Sequence, residues 1–202
     1  MPANNTDIRR LKISKKTVQS FLRDVDGGRF AVPKLQREFV WDGPKAAKLL
    51  DSIYRGMPIG VVLIWETPRS QRLYLRQRYH VLPPFNDRNP RVWFLIDGQQ
   101  RASVLHHVRE GGTLLNARGK LIDFSRVVLS LEKEDDDQQI RYRKPSQRRF
   151  VTLSRVLHPQ WRLKLGDLTK RQLSIVKDYR QRILSYDMHF MFVQMKINEV
   201  RE

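Results

Sequence analysis

The sequence contains no cysteine. This absence excludes disulfide bonds, thiolate catalysis and metal sites built on cysteine ligands, and it fits a reducing compartment. Long apolar runs are also missing, since the longest, from Pro58 to Trp65, is far shorter than the roughly 20 residues that span a bilayer. The segment from Met1 to Arg10 is polar and lacks the apolar stretch of a secretory signal. We therefore expect a cytoplasmic protein with no membrane partner.

Acidic residues are scarce relative to basic ones. The chain has 39 lysines and arginines but only 21 aspartates and glutamates, which gives a formal net charge of +18. Such a charge attracts polyanions over long range, and nucleic acid is the usual partner. Two alternatives stay open: an anionic membrane surface, although no basic amphipathic helix stands out, and a charge that only keeps the protein soluble.

Metal-binding patterns are missing as well. His106 and His107 are adjacent, so on a helix they point about 100° apart and cannot chelate as an i, i+4 pair would. No His-Glu-x-x-His or HNH-like pattern occurs, and the spacing within Asp135–Asp137 is not that of a calcium loop. We therefore expect no metal-binding residues among the histidines and the clustered acids and no nuclease site in this chain, and we interpret the acidic run as a solvated hairpin tip.

The spacing of apolar residues predicts an α+β fold, a small mixed β-sheet with flanking helices. Residues 1–13 are expected to form a flexible N-terminal tail and residues 14–202 a single domain, whose first helix would be capped by Ser14. Residues 67–91, rich in arginine and proline, are expected to form an exposed basic loop or an irregular hairpin. The apolar segment before Glu202 has no closing signal, so we expect this domain to be the N-terminal part of a longer protein.

One strand–turn–helix pattern carries chemistry. The predicted strand Val92–Ile96 runs into Asp97-Gly98, and Gln99, Gln100 and Arg101 then open a helix. Glycine permits a close approach of the backbone, the first amides of a helix bind phosphate well, and Arg101 adds a forked cation. Asp97 could hold a hydrated Mg²⁺ or orient a water. Alternatively, Asp97 caps the helix, Gly98 makes the turn and the next three side chains are surface.

A second pattern is Gln36-Arg37, which lies between an extended segment and a helix. An arginine beside an amide side chain is again suited to an anion. Alternatively, the segment is an exposed loop that Phe39 and Trp41 anchor in the core.

These two patterns, with the string from Leu50 to Gly60 between them, resemble the N-terminal domain of GmrSD-type restriction endonucleases, which is related to the ParB/sulfiredoxin fold. The resemblance is firm over about residues 14–110. It implies a ParB/sulfiredoxin-like fold with a pocket that binds and hydrolyses nucleoside triphosphate with Mg²⁺. The residues of that pocket would be Asp97, Gln99, Gln100 and Arg101 as catalytic residues, and Gln36, Arg37 and Gly98 as nucleotide-binding residues. It also implies anti-phage defence against modified DNA, with an HNH-type nuclease in a C-terminal domain or a partner chain.

Two basic clusters are candidates for a DNA-binding face, which would contact phosphates with little sequence preference. The candidate residues are Arg69, Arg72, Arg76, Arg78, Arg141, Arg143, Lys144, Arg148 and Arg149. We thus expect a nucleotide-dependent sensor of a restriction system. The alternatives are a module that binds modified DNA without hydrolysis, a ParB-like clamp, for which no helix-turn-helix signature is present, and a scaffold without a ligand. The oligomeric state stays open.

Overall fold

The computed structural model describes residues 8–74, 81–132, 138–145, 149–166 and 168–195. Its strands are β1 (Ile8–Thr17), β2 (Phe30–Ala31), β3 (Val61–Pro68), β4 (Arg91–Asp97), β5 (Thr113–Leu115), β6 (Leu121–Asp123), β7 (Val127–Ser130), β8 (Ile140–Tyr142), β9 (Phe150–Thr152) and β10 (Asp187–Met195). Its helices are α1 (Val18–Asp26), α2 (Gly43–Tyr54), α3 (Gln99–Glu110), α4 (Leu153–Leu157), α5 (Trp161–Lys164) and α6 (Lys170–Ser185). Short 3₁₀ helices occur at Arg69–Tyr74 and Phe124–Arg126.

The main sheet has five strands in the order β1-β10-β3-β4-β2. The β1–β10 and β3–β4 pairs are antiparallel, whereas β10–β3 and β2–β4 are parallel. This mixed sheet with flanking helices confirms the predicted α+β class. Two small antiparallel sheets, β5-β6 and β8-β7-β9, complete the fold. The relation to the ParB/sulfiredoxin fold stays a prediction.

One large apolar cluster lies between the main sheet, the helices and the β8-β7-β9 sheet. Ile64 and Phe190 of the main sheet, Leu50 of α2, Leu105 of α3 and Leu129 of β7 belong to it, and each is at most 1% exposed. A smaller cluster around Phe94 lies on the other face of the sheet. Burial of apolar surface on this scale is the main source of the fold's stability. Within the described residues, no helix is both long enough and apolar enough to cross a membrane.

The predicted N-terminal tail is wrong for residues 8–13. Strand β1 begins at Ile8 and pairs with β10 as far as Thr17 opposite Asp187. Backbone pairing with β10 holds this strand. The side chains of Leu11 and Ile13 contribute little burial, since these residues are 57% and 67% exposed. The sequence therefore gave little indication of a strand here. The cap of α1 is consequently Thr17, whose hydroxyl accepts from the Ser20 amide, and not Ser14. Residues 1–7 lie outside the described residues.

The segment between β3 and β4 is only partly the exposed loop that the sequence predicted. Residues 75–80 lie outside the described residues, but Val81 and Leu82 are 1% and 8% exposed and belong to the main core. Asn89 holds the end of the segment by donating to the carbonyl oxygens of Gly27 and Gly28. The many arginines and prolines of this segment concealed its two core residues.

Candidate functional site

The candidate site is the corner where β4 passes into α3. Asp97 ends the strand, Gly98 is the N-cap with φ of 94°, and Gln99 begins the helix. Residues other than glycine rarely adopt this φ. In addition, a Cβ at Gly98 would lie 3.0 Å from Cγ2 of Val62 in β3. Glycine is therefore required here both by the backbone conformation and by the close packing of the corner against β3.

Arg101 bonds this corner to the chain ahead of β3. Its Nη1 donates to the carbonyl oxygen of Ile59 at 2.6 Å, and its Nη2 donates to that of Val61 at 2.8 Å and to Oδ2 of Asp97 at 3.0 Å. The residue is 9% exposed. Gly60 makes room for it, since a Cβ there would lie 3.0 Å from Nη1 of Arg101. The guanidinium is thus held by backbone acceptors on one side and a carboxylate on the other.

Gln100 bonds the corner to the Gln36-Arg37 segment. Its Oε1 accepts from the Val40 amide at 2.9 Å, and its Nε2 donates to the Glu38 carbonyl at 3.0 Å. In return, Gln36 Nε2 donates to the carbonyl oxygen of Ile96 at 2.6 Å. The two sequence patterns, separated by about sixty positions, therefore meet through direct hydrogen bonds.

The structure tests the structural alternatives for each pattern, whereas the assignment of ligand-binding residues stays a prediction. The carboxylate of Asp97 does not cap α3, since Gly98 is the N-cap and has no side-chain cap bond. Gln99 and Gln100 are not surface residues, because they are 3% and 8% exposed. In the other segment, Phe39 is indeed a core anchor at 1% exposure, and Trp41 packs partly buried against the same core.

Two charged side chains of the patterns face solvent. The side chain of Asp97 is 71% exposed, and Arg37 is exposed as well. Asp97 uses Oδ2 for Arg101, whereas its other oxygen has no hydrogen bond within the described residues. A ligand that approaches this corner therefore meets the Asp97 carboxylate first, and the buried side chains of Gln100 and Arg101 lie behind it as supports.

The corner offers little by which the protein alone could hold a cation. No group of three or more histidine and acidic side chains with metal-binding geometry occurs within the described part of the chain. One exposed carboxylate nevertheless suits Mg²⁺, which retains waters and is commonly bound by one or two carboxylates together with substrate phosphates. The residues present therefore fit magnesium that arrives with a triphosphate.

Of the predicted DNA-binding residues, Arg76, Arg78 and Arg148 lie outside the described residues. The described members contact their own chain or solvent. Arg69 Nη1 donates to the Asp87 carbonyl oxygen at 2.5 Å, and Arg72 pairs with the Asp87 carboxylate at 3.2 Å. Arg141 Nε donates to the Gln138 carbonyl oxygen at 2.9 Å, and Arg149 pairs with Glu132 at 3.1 Å. The guanidinium carbon of Arg143 lies 4.1 Å from the Phe150 ring centroid, and Lys144 is exposed. Because exposed ion pairs are weak, these contacts would not prevent phosphate binding, and the assignment stays a prediction.

Two supports of the site had little signal in the sequence. The backbone of Glu38 and Val40 acts through its amide and carbonyl groups, which any residue could supply. Gly60 matters because Arg101 approaches it from α3. Its position in the string from Leu50 to Gly60 was the one available hint.

Comparisons with known proteins identify the family of the chain. A family model described as the N-terminal domain of the GmrSD restriction endonuclease matches residues 18–201. The chain is also similar to an uncharacterized protein of Methanocaldococcus jannaschii, with 24% identity over 217 aligned residues that cover 93% of this chain and 37% of that protein. The chain thus spans little more than a third of this relative. Because the family match extends over nearly the whole chain, the protein belongs to the family of GmrSD restriction endonuclease N-terminal domains.

Proposed function

We propose that this chain is the nucleoside-triphosphate-binding regulatory domain of a restriction system, with its nucleotide site at the corner of β4 and α3. The observation that carries the proposal is the network that bonds this corner to two other segments while leaving Asp97 71% exposed at its rim. A bonded scaffold behind an exposed polar rim is the arrangement expected of a preorganised ligand site. Family membership supports the role in restriction.

The phosphates would be recognised by backbone and charge together. The first amides of α3 lack intrahelical partners, and the N-terminus of a helix carries partial positive charge. Both effects favour an anion at Gly98. Arg37 would add a cation at the rim, while Asp97 would hold Mg²⁺ through one oxygen or a bound water. Magnesium would supply charge neutralisation of the β- and γ-phosphates.

Hydrolysis would add one water to the γ-phosphorus, break its bond to the bridging oxygen, and release a nucleoside diphosphate and orthophosphate. Asp97 is the exposed carboxylate that can orient the water or receive its proton. Gln99, Gln100 and Arg101, which the sequence suggested as catalytic, are buried. In this conformation we assign Gln100 and Arg101 the role of positioning residues.

The same bonds provide a route for regulation. Arg101 contacts both Asp97 and the carbonyls of Ile59 and Val61, so a phosphate that competes for the Arg101–Asp97 pair also disturbs the chain entering β3. Strand β3 lies at the centre of the main sheet. Nucleotide occupancy could therefore bias the domain between two states and license an HNH-type nuclease in a C-terminal domain or a partner chain.

The test is phosphate release with ATP, GTP, CTP and UTP in Mg²⁺, with and without plain or modified DNA. Asp97→Asn is the sharper variant because its side chain is exposed, whereas Arg101→Ala also removes buried bonds. We expect turnover that Asp97→Asn abolishes and an exposed Lys34→Gln control retains. Equal turnover in Asp97→Asn would refute the assignment. Nucleotide binding without turnover would reduce the proposal to a binding domain.

A second candidate function rests on the net charge of +18. The domain would bind DNA, including modified DNA, without hydrolysing nucleotide. Phosphate contacts of this kind make the logarithm of affinity fall linearly with the logarithm of salt concentration. A DNA affinity that is unchanged between about 50 and 200 mM salt would contradict it.

A further inference from the structure

A groove unrelated to either sequence pattern lies between the start of α1, helix α5 and helix α6. Its cavity volume is about 490 Å³. Its walls contain three cations, Arg162, Lys177 and Arg180, together with Trp161 and the amide side chains of Gln19 and Gln181. Among the described residues, no carboxylate lines it. We call this feature the α5–α6 groove.

Two of the cations lie near the ring of Trp161. The guanidinium carbons of Arg162 and Arg180 lie 5.4 Å and 5.6 Å from the centroid of its ring, within the range of cation–π attraction. Arg180 is held further by hydrogen bonds from Nη1 to the carbonyl oxygens of Val156 at 2.5 Å and His158 at 3.1 Å. Neither contact neutralises the charge, because a ring face and a carbonyl oxygen carry no net charge.

Some other arginines of the chain are paired with acids. Arg109 pairs with Asp26, and Arg182 pairs with Asp178 at 3.0 Å. Within the described residues, by contrast, Arg162 and Lys177 form no ion pair, and Lys177 lies three positions before Arg180 on the same side of α6. Burial lowers the pKa of Arg180 from its ordinary value, as expected where no carboxylate compensates.

We propose that the α5–α6 groove binds backbone phosphates of nucleic acid. Converging cations without a counter-charge attract a polyanion, and the Gln19 and Gln181 amides can donate to phosphate or sugar oxygens. A nucleic acid is the favoured phosphate source because the chain's net charge of +18 adds long-range attraction that increases with the ligand's charge. The site goes beyond the nucleotide site at Asp97 and does not depend on it.

The test is fluorescence anisotropy with a labelled DNA duplex between about 50 and 200 mM salt. The groove variant is Arg162→Gln/Lys177→Gln, and the matched control is Arg118→Gln/Lys48→Gln, which removes the same two charges from exposed positions outside the groove. The groove variant should bind DNA more weakly than the control. Its salt slope should be smaller by about 2, close to one unit for each phosphate that the variant no longer neutralises.

Equal affinity and equal slope in the two variants would overturn the proposal. Each variant is also titrated with ATP in Mg²⁺, which separates the two possible phosphate sources. Unchanged ATP binding by the groove variant, with weakened DNA binding, supports the proposal. Loss of ATP binding in the groove variant would make the groove the nucleotide site, and it would refute both this inference and the site at Asp97. Loss of ATP binding in Asp97→Asn alone leaves the groove proposal intact.

Discussion

Nη1 of Arg101 lies 2.6 Å from the carbonyl oxygen of Ile59, so the arginine of the Asp-Gly-Gln-Gln-Arg pattern is bonded to the backbone ahead of β3. Planar guanidinium geometry explains the choice of residue, because the fork reaches two carbonyls and a carboxylate at once. The pattern thus combines an exposed acid with buried supports. This division of roles decides which substitutions should affect stability and which should affect the ligand alone.

Arg101→Lys should destabilise the fold. A lysine ammonium cannot reproduce the fork, so at least one of the carbonyls of Ile59 and Val61 loses its donor. We expect the free energy of unfolding to fall by about 2–4 kcal/mol, measured by urea titration. Arg37→Lys, an exposed change, is the control and should stay within about 0.5 kcal/mol of wild type. An Arg101→Lys protein as stable as wild type would show that these bonds contribute nothing.

Gln100→Glu should loosen the segment that carries Gln36-Arg37. The new carboxylate can still accept from the Val40 amide, but it cannot donate to the Glu38 carbonyl and faces that oxygen with a negative charge. We expect the free energy of unfolding to fall by about 1–3 kcal/mol and hydrogen exchange at the Val40 amide to become faster. Lys34→Gln, a change of an exposed side chain in the same segment, should leave that exchange rate unchanged. Unaltered Val40 protection in Gln100→Glu would contradict the bonding described.

Gly98→Ala should cost more stability than Gly119→Ala. Both glycines have positive φ, 94° and 71°, so alanine costs about 1–2 kcal/mol of backbone strain at either. At Gly98 the new Cβ also meets Val62 Cγ2 at 3.0 Å, whereas nothing in the described structure lies within 4 Å of a Cβ at Gly119. The difference between their unfolding free energies therefore measures the crowding. Equal losses would show that Val62 moves aside freely.

Local signals predicted much of this fold. The start of α2 carries such signals, because Asp42 is the N-cap, with its carboxylate accepting from the Lys45 amide, and Pro44 lies in the first turn. Helix α1 likewise carries a periodic set of buried residues, Val18, Phe21, Leu22 and Val25, and α6 carries Val176, Tyr179 and Ile183. Strand β1 escaped detection because its exposed leucine and isoleucine face solvent and its pairing partner, β10, lies at the other end of the chain.

The site was predictable in position but not in detail. Asp97-Gly98 followed by a helix could be read locally, because a strand, a turn glycine and helix-forming residues follow each other directly. The hydrogen bonds of Gln100 to Glu38 and of Arg101 to Ile59 could not be predicted, because they join segments that only the folded chain brings together. Similarly, Trp161 and Lys177 belong to different helices, and their common groove appears only in three dimensions.

His106 should make the protein sensitive to mild acid. Burial lowers its pKa below the ordinary value of 6.5, Arg109 lowers it further, and Glu110 and Asp26 oppose the shift. The unfolded chain therefore binds a proton that the folded chain resists, so stability present above about pH 6.5 is lost as the pH falls below it. Its Nδ1 is buried without a hydrogen-bond partner in the described structure, which agrees with a neutral ring.

His106→Gln should reduce this acid sensitivity. Between pH 7 and pH 5, the free energy of unfolding should fall further in the wild type than in the variant. Because solvent reaches part of the ring and screens its charge, we expect this difference to be at most about 1 kcal/mol. Urea titrations at both pH values measure the difference, with the exposed His189→Gln as the control. A His106→Gln protein that loses as much stability as wild type would exclude His106 as the cause.

The most direct test of the central claim is an amide chemical-shift titration of the ¹⁵N-labelled chain with ATP and Mg²⁺, repeated with the Asp97→Asn protein. A nucleotide at the corner of β4 and α3 predicts shifts concentrated at residues 36–40 and 96–101, and their loss in the variant. Smaller shifts at Ile59 to Val61 would follow from the Arg101 bonds. Shifts that cluster elsewhere, or that persist unchanged in Asp97→Asn, would contradict the account.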